Sequence, residues 1–285
     1  MRVWIGLCLV ALLTACSSAP KEAEAFEPAP PASPTTPVVA QKLASSGAQT
    51  DAASLPPASP FAKWTAVIVA GDNHAHSGKK AEIFDNARRD VAAAFVAAGF
   101  AKAHVRQFSV QPDPADPTAP FYTSADGIRG TVHKLLGEAG EGCLFYLTSH
   151  GDQTGITFNE DKLSPEGLRS LIDRTCGGRP SVIFVSACHS GVFVPALAAP
   201  NRMVVTASRP DRTSFGCGET NKYPYFDDCL LQSLPAAPTF PALAKGVKAC
   251  VAGKEAAQKF LPSEPQIAIG AGVEGMLQSA RFAGH

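Results

Sequence analysis

Two stretches of the 285-residue chain place reactive side chains directly after apolar runs. Residues 142–149 (GCLFYLTS) lead into His150-Gly151-Asp152, and residues 181–187 (SVIFVSA) lead into Cys188-His189-Ser190-Gly191. Both runs read as buried strands, and ligands in open α/β sheets gather at the carboxyl ends of the strands. A cysteine attacks as its thiolate, and a nearby imidazole can take that proton or pass one to a leaving amine. Gly151 permits a sharp turn, and its N–H together with that of Cys188 would form an oxyanion hole. Spacing alone fits a second reading equally well, with Cys188 a small buried hydrophobe and His150 a hydrogen-bonded loop residue.

The elements that must hold these groups alternate in type. Residues 65–71 (TAVIVAG), 104–110, 202–207 and 266–270 read as further strands. Residues 82–99 read as an Ala-rich helix ended by Gly99, and Ser124 opens a helix running to about Leu136. Ser164-Pro165-Glu166 opens another, with Ser at the N-cap and Pro at the first helical position, and residues 241–260 form a further helix. The Pro-rich residues 111–120 read as a loop. Strands alternating with helices predict a three-layer α/β/α sandwich around a mostly parallel sheet.

Residues 146–156 (YLTSHGDQTGI) resemble the catalytic His-Gly segment of legumain-like cysteine peptidases, the peptidase C13 family of the caspase-like clan. Residues 182–191 (VIFVSACHSG) resemble its nucleophile segment, residues 204–217 (VVTASRPDRTSFGC) the following cleft wall, and residues 67–71 (VIVAG) its opening strand. The resemblance runs from about residue 66 to 234. It implies a caspase-like fold, Cys188 as nucleophile, His150 as general acid/base, and oxyanion stabilisation at Gly151 and Cys188. It also implies a substrate cleft in which Asp228, Ser186, Ser208 and Arg209 touch the peptide, with Asp228 on the P1 pocket. Legumains carry an acidic residue two before the nucleophile, where this chain has Ser186, so strict Asn specificity is not expected. Arg88 and Arg89 fall where the family supplies a pocket arginine. The C-terminal inhibitory prodomain of the eukaryotic enzymes is not expected.

The N-terminus reads as an address. Arg2 precedes an apolar run at residues 3–13, too short to span a hydrocarbon core of roughly 30 Å as a helix and suited to a secretory signal. Leu13-Thr14-Ala15-Cys16 resembles the lipobox of bacterial lipoproteins, implying lipidation of Cys16. By the same resemblance, Ser17 fits sorting to an outer membrane facing the periplasm. Residues 17–60 hold 11 Ala, 9 Pro and 7 Ser in 44 positions, a composition that forms an extended tether rather than a core. The expected organisation is a signal peptide at 1–15, lipidated Cys16 and tether to 60, and a peptidase-like domain at 61–285.

Export implies an oxidising compartment. Besides Cys16 and Cys188, the processed chain holds Cys143, Cys176, Cys217, Cys229 and Cys250, an odd number that leaves at least one without an internal partner. Cys143 is expected as a plain core residue. Cys217 with Cys229 or Cys250, and Cys176 with Cys250, are the candidate pairs. Equal numbers of Lys+Arg and Asp+Glu, 25 each, argue against nucleic acid as a partner. The segment Asp72-Asn73-His74-Ala75-His76 has a metal-like spacing but is expected as a polar cleft loop, with no metal or cofactor required. His189 is expected to point away from the chemistry. The reading is a lipid-anchored cysteine endopeptidase acting on peptide or protein substrates. A transamidase of the same family and a non-catalytic binding lipoprotein are the alternatives.

Overall fold

A computed structural model describes residues 59–137 and 140–285. The signal segment, Cys16 and all but the last two residues of the tether lie outside the described residues. The strands are β1 (Trp64–Ala70), β2 (Val105–Ser109), β3 (Phe121–Tyr122), β4 (Gly142–Thr148), β5 (Gly151–Asp152), β6 (Gly155–Phe158), β7 (Asp161–Leu163), β8 (Ser181–Ser186), β9 (Arg202–Thr206) and β10 (Gln266–Ile269). The helices are α1 (Ile83–Ala97), α2 (Ala125–Leu136), α3 (Pro165–Thr175), α4 (Phe193–Leu197), α5 (Tyr225–Ser233), α6 (Phe240–Gln258) and α7 (Ala271–Ser279). The main sheet runs β10-β9-β8-β4-β1-β2-β3. Every pairing in it is parallel except β10 against β9.

Strand alternation divides the core. In β1, Ala66 and Ile68 face one apolar cluster while Val67 and Val69 face the other; in β4, Tyr146 and Phe145 divide the same way. The first cluster takes residues of α1, α5, α6 and α7, including Phe95, Leu230, Phe240 and Leu277. The second takes Ile128 of α2, Leu168 of α3 and Phe193 of α4. These are the three layers expected, and both faces of β1, β4, β8 and β9 are buried. A buried Phe is worth about 1.5–3 kcal/mol relative to an exposed one. The cluster of Phe61, Phe95, Phe100 and Phe240 therefore anchors α1 and α6 firmly on the sheet.

Helix starts follow local chemistry. Ser124 accepts from Gly127 N at 3.1 Å and Ser164 from Gly167 N at 3.1 Å, each satisfying a free amide of the first turn. The small β5-β6-β7 sheet, β3, α4, α5 and α7 were not anticipated. They are too short, or too weakly periodic, to register in sequence.

The disulfides correct the pairing expectation. Cys143 of β4 joins Cys176 at the end of α3, and Cys229 of α5 joins Cys250 of α6. Cys143 is thus a cross-link between sheet and helix, and none of the three candidate pairs forms. By the chain-entropy argument, loops of 33 and 21 residues make each bond worth about 3–4 kcal/mol. Cys188 and Cys217 are the free thiols among the described residues.

Candidate active site

The two catalytic candidates stand at adjacent strand ends. Thr148 of β4 pairs in register with Ser186 of β8, and Ser149 N donates to the Ser186 carbonyl at 3.0 Å. Two residues beyond that matched pair come His150 and Cys188. A Cβ on Gly151 would lie 2.7 Å from the Cys188 carbonyl oxygen and 2.9 Å from the Ala187 Cβ. Only glycine lets the chain after His150 run this close to the nucleophile's backbone.

His150 is oriented from three sides. Its Nε2 lies 3.1 Å from the His74 carbonyl, the edge of the Phe84 ring meets it at a centroid distance of 5.1 Å, and the His76 ring is at 6.4 Å. A carbonyl accepts only, so Nε2 carries the proton in this contact and Nδ1 is left as the basic nitrogen. His74 is held in turn by Asp72, whose Oδ1 accepts from the backbone N–H of Asn73 and His74 and lies 2.8 Å from His74 Nδ1. The DNHAH loop therefore serves as a rest for the imidazole.

Cys188 is half-buried, and its sulfur accepts from Ser214 N at 3.2 Å. His189 takes a left-handed backbone with φ 56°, the sharp turn that lifts the preceding residue off the strand. Its ring bonds the Pro210 carbonyl at 2.9 Å and its N–H donates to Arg212 O, so it points away from the chemistry as expected. Cys217 packs against Ala70, Ile83 and Phe84. Burial, with Cys188 and Asp227 beside it, pushes its thiol up, so it stays protonated.

The substrate-contact expectations divide. Ser186 is buried with its hydroxyl toward Asp227, and Ser208 is buried with its hydroxyl tied to Ser190 N and the Ala187 carbonyl. Neither side chain is presented to solvent as a substrate contact would be. Asp228 lies on the outer side of α5, where its Oδ2 pairs with Lys254 at 2.6 Å and accepts from Gln232. The acid that turns inward is Asp227. It accepts from Tyr146 and, at 2.7 Å, from Thr148, and burial pushes its carboxyl up to about 7 against these donors. One step along a helix turns a side chain by about 100°, and adjacency of two Asp in sequence could not say which faces in. Arg209 is half-buried and pairs with Asp211 and Glu264.

The arginine expectation resolves similarly. Arg88 is 1% exposed and wholly engaged, with Asp85, Gln107, Thr118 and Asp116. Arg89 reaches Asn86 and Glu82. Around them lies a groove of about 900 Å³ lined by Lys80, Asp85, Arg88, Gln111, Asp113 and Asp116, and beside it one of about 440 Å³ that includes Asp72 and His74. Neither is lined by His150 or Cys188.

Comparison with known proteins agrees with this architecture. The family model described as "Peptidase C13 family" matches residues 125–269. A solved caspase-1 from Spodoptera frugiperda superposes with a TM-score of 0.53 at 16% identity, covering 74% of this chain and 88% of that one, which shows the fold. No curated protein matches the sequence. Matched over more than half its length, and folded as a caspase-like sandwich that supports a cysteine peptidase in general, the chain belongs to the peptidase C13 family.

Proposed function

We propose that this protein is a cysteine endopeptidase in which Cys188 is the nucleophile and His150 the general acid/base. The observation that carries the reading is the contact of the two strand ends, with Gly151 against the backbone of Cys188 and the His150 imidazole set by the His74 carbonyl. In the reaction, His150 Nδ1 takes the Cys188 proton as the sulfur attacks the scissile carbonyl. The oxyanion is met by backbone N–H groups of Gly151 and Cys188. Collapse expels the amine, protonated by His150, and leaves a thioester on Cys188. Water, deprotonated by the same imidazole, then releases the carboxylate. Arg209, half-buried on the loop after β9, is the member of the expected set that would meet a substrate in this reading.

The envelope assignment is part of the proposal. A lipid on Cys16 would anchor the chain at an outer membrane facing the periplasm, with the Pro/Ala/Ser-rich stretch as spacer. The two disulfides suit an oxidising compartment. The test is Cys188→Ala in the full chain. Turnover of a peptide library should fall by at least about 10³-fold with the melting temperature kept. Hydrolysis surviving that change would remove Cys188 from the mechanism.

A further inference from the structure

The mechanism above does not use the most deeply buried acid near it. Asp227 is 0% exposed, and it sits against the matched pair Thr148 and Ser186, the last rung of the β4–β8 ladder. Thr148 precedes His150 by two residues and Ser186 precedes Cys188 by two. One carboxyl on α5 thus accepts the hydroxyls of Thr148 and of Tyr146, two residues further back on β4, and the Ser186 hydroxyl of β8 faces it.

We propose that Asp227 is a positioning residue that clamps the ends of β4 and β8 together and so sets the spacing between His150 and Cys188. This rests on the assignment of those two residues as the catalytic pair. The clamp acts through the strands. Two hydroxyls of β4 donate to the carboxyl, the Ser186 hydroxyl of β8 faces it, and burial removes it from solvent. Asp227 therefore holds the protein together at this point and does not bind substrate. The titratable groups facing it are Tyr146 from β4, Cys217 from the loop after β9 and Asp228 on its own helix. Ladder hydrogen bonds already join β4 to β8, but they end at this rung, and the chain leaves the sheet at Ser149-His150 and at Ala187-Cys188. A tie at the last rung is where a small displacement is passed on to both catalytic residues. A misplacement of about 1 Å at a reacting centre can cost about 10²-fold in rate.

The experiment compares wild type, Asp227→Asn, Asp227→Ala and Thr148→Val in the full chain. It reads kcat and KM per folded molecule, the P1 preference, and the rate at which iodoacetamide alkylates Cys188. The expected result is a kcat lower by about 10- to 100-fold in Asp227→Ala, with KM within about twofold and P1 preference unchanged. Asn keeps one acceptor and should recover much of the loss. Thr148→Val, which keeps volume and deletes one donor, should show a smaller loss that does not add to that of Asp227→Asn. Alkylation should slow in the same order. A change in KM or P1 preference would make Asp227 a substrate contact and overturn the clamp. So would lower thermal stability with unchanged kcat and alkylation. If Asp227→Ala does not fold, the Asn and Val variants carry the same comparison. Wild type lacking selective alkylation at Cys188 would instead defeat the catalytic assignment itself.

Discussion

Two carboxyls, one half-buried and one fully buried, lie on opposite sides of β1, and they are held in opposite ways. Asp116, on the loop after β2, would be raised by its burial, but hydrogen bonds from Thr118 and Arg88 and the charge of Arg88 bring it down to about 2. Asp227, behind β4 and β8, has hydroxyl donors around it, and burial prevails, with the charge of Asp228 adding to it, pushing it up to about 7. Hydroxyl donors alone do not offset the desolvation of the fully buried Asp227, whereas at the half-buried Asp116 the Thr118 donors and the Arg88 guanidinium together outweigh burial. The difference matches the positions of the two groups. The Arg88 cluster ties α1 to β2 and the Pro-rich loop, away from the reacting atoms, while Asp227 stands directly behind them.

The comparison predicts a separation of stability from chemistry. Arg88→Ala would leave the half-buried Asp116 and Asp85 without their buried cation and should cost about 3 kcal/mol, a melting-temperature fall on the order of 10 °C. Peptidase turnover per folded molecule should stay within about twofold, read by active-site titration. A matching loss of turnover would mean that the outer cluster also sets the site.

Gly151→Ala should behave in the reverse manner. Its new methyl would meet the Cys188 carbonyl at 2.7 Å, so the two strand ends must part. Turnover should drop by about 10²-fold, with a smaller change in melting temperature than Arg88→Ala produces. Full activity in Gly151→Ala would break the link between this close approach and catalysis.

The gentlest test uses pH, where the two carboxyls have opposite signs. Asp227 is raised above the unfolded value near 3.9, so its contribution is complete below about pH 4 and is lost as pH rises toward 7. Asp116 is lowered, so its contribution is present above about pH 4 and is lost as pH falls toward 2. Urea unfolding of Asp227→Asn should show a flatter stability profile between pH 4 and 7 than wild type. Asp116→Asn should flatten the limb below pH 4. Identical profiles in all three proteins would contradict the contrast.

The strand ends were legible because their signals are local. An apolar run followed by His-Gly or by Ala-Cys needs no knowledge of the rest of the chain, and 142–149 and 181–187 correspond closely to β4 and β8. Helix starts at Ser124 and Ser164 were legible for the same reason, since an N-cap and its amide lie three residues apart. Which acid of α5 turns inward was not legible. Asp227 and Asp228 are equivalent in composition, and only the packing of α5 against β4 and β8 turns the first inward. Ser186 and Ser208 carry hydroxyls in a motif-bearing region, but which face of the sheet or loop they occupy follows from neighbours far along the chain.

What the sequence determined by itself is the alternation of the longer strands and helices, the α/β/α class, and the positions of His150 and Cys188 at two strand ends. Those follow from periodicity and from chemistry confined to a few neighbouring residues. The tertiary structure alone decided the pairing Cys143–Cys176 and Cys229–Cys250, the burial of Arg88, and the inward turn of Asp227. Each of these depends on which helix lies on which face of the sheet and at what rotation. Pairings across 21 or 33 residues are set by where the two ends pack, and sequence spacing carries no record of that.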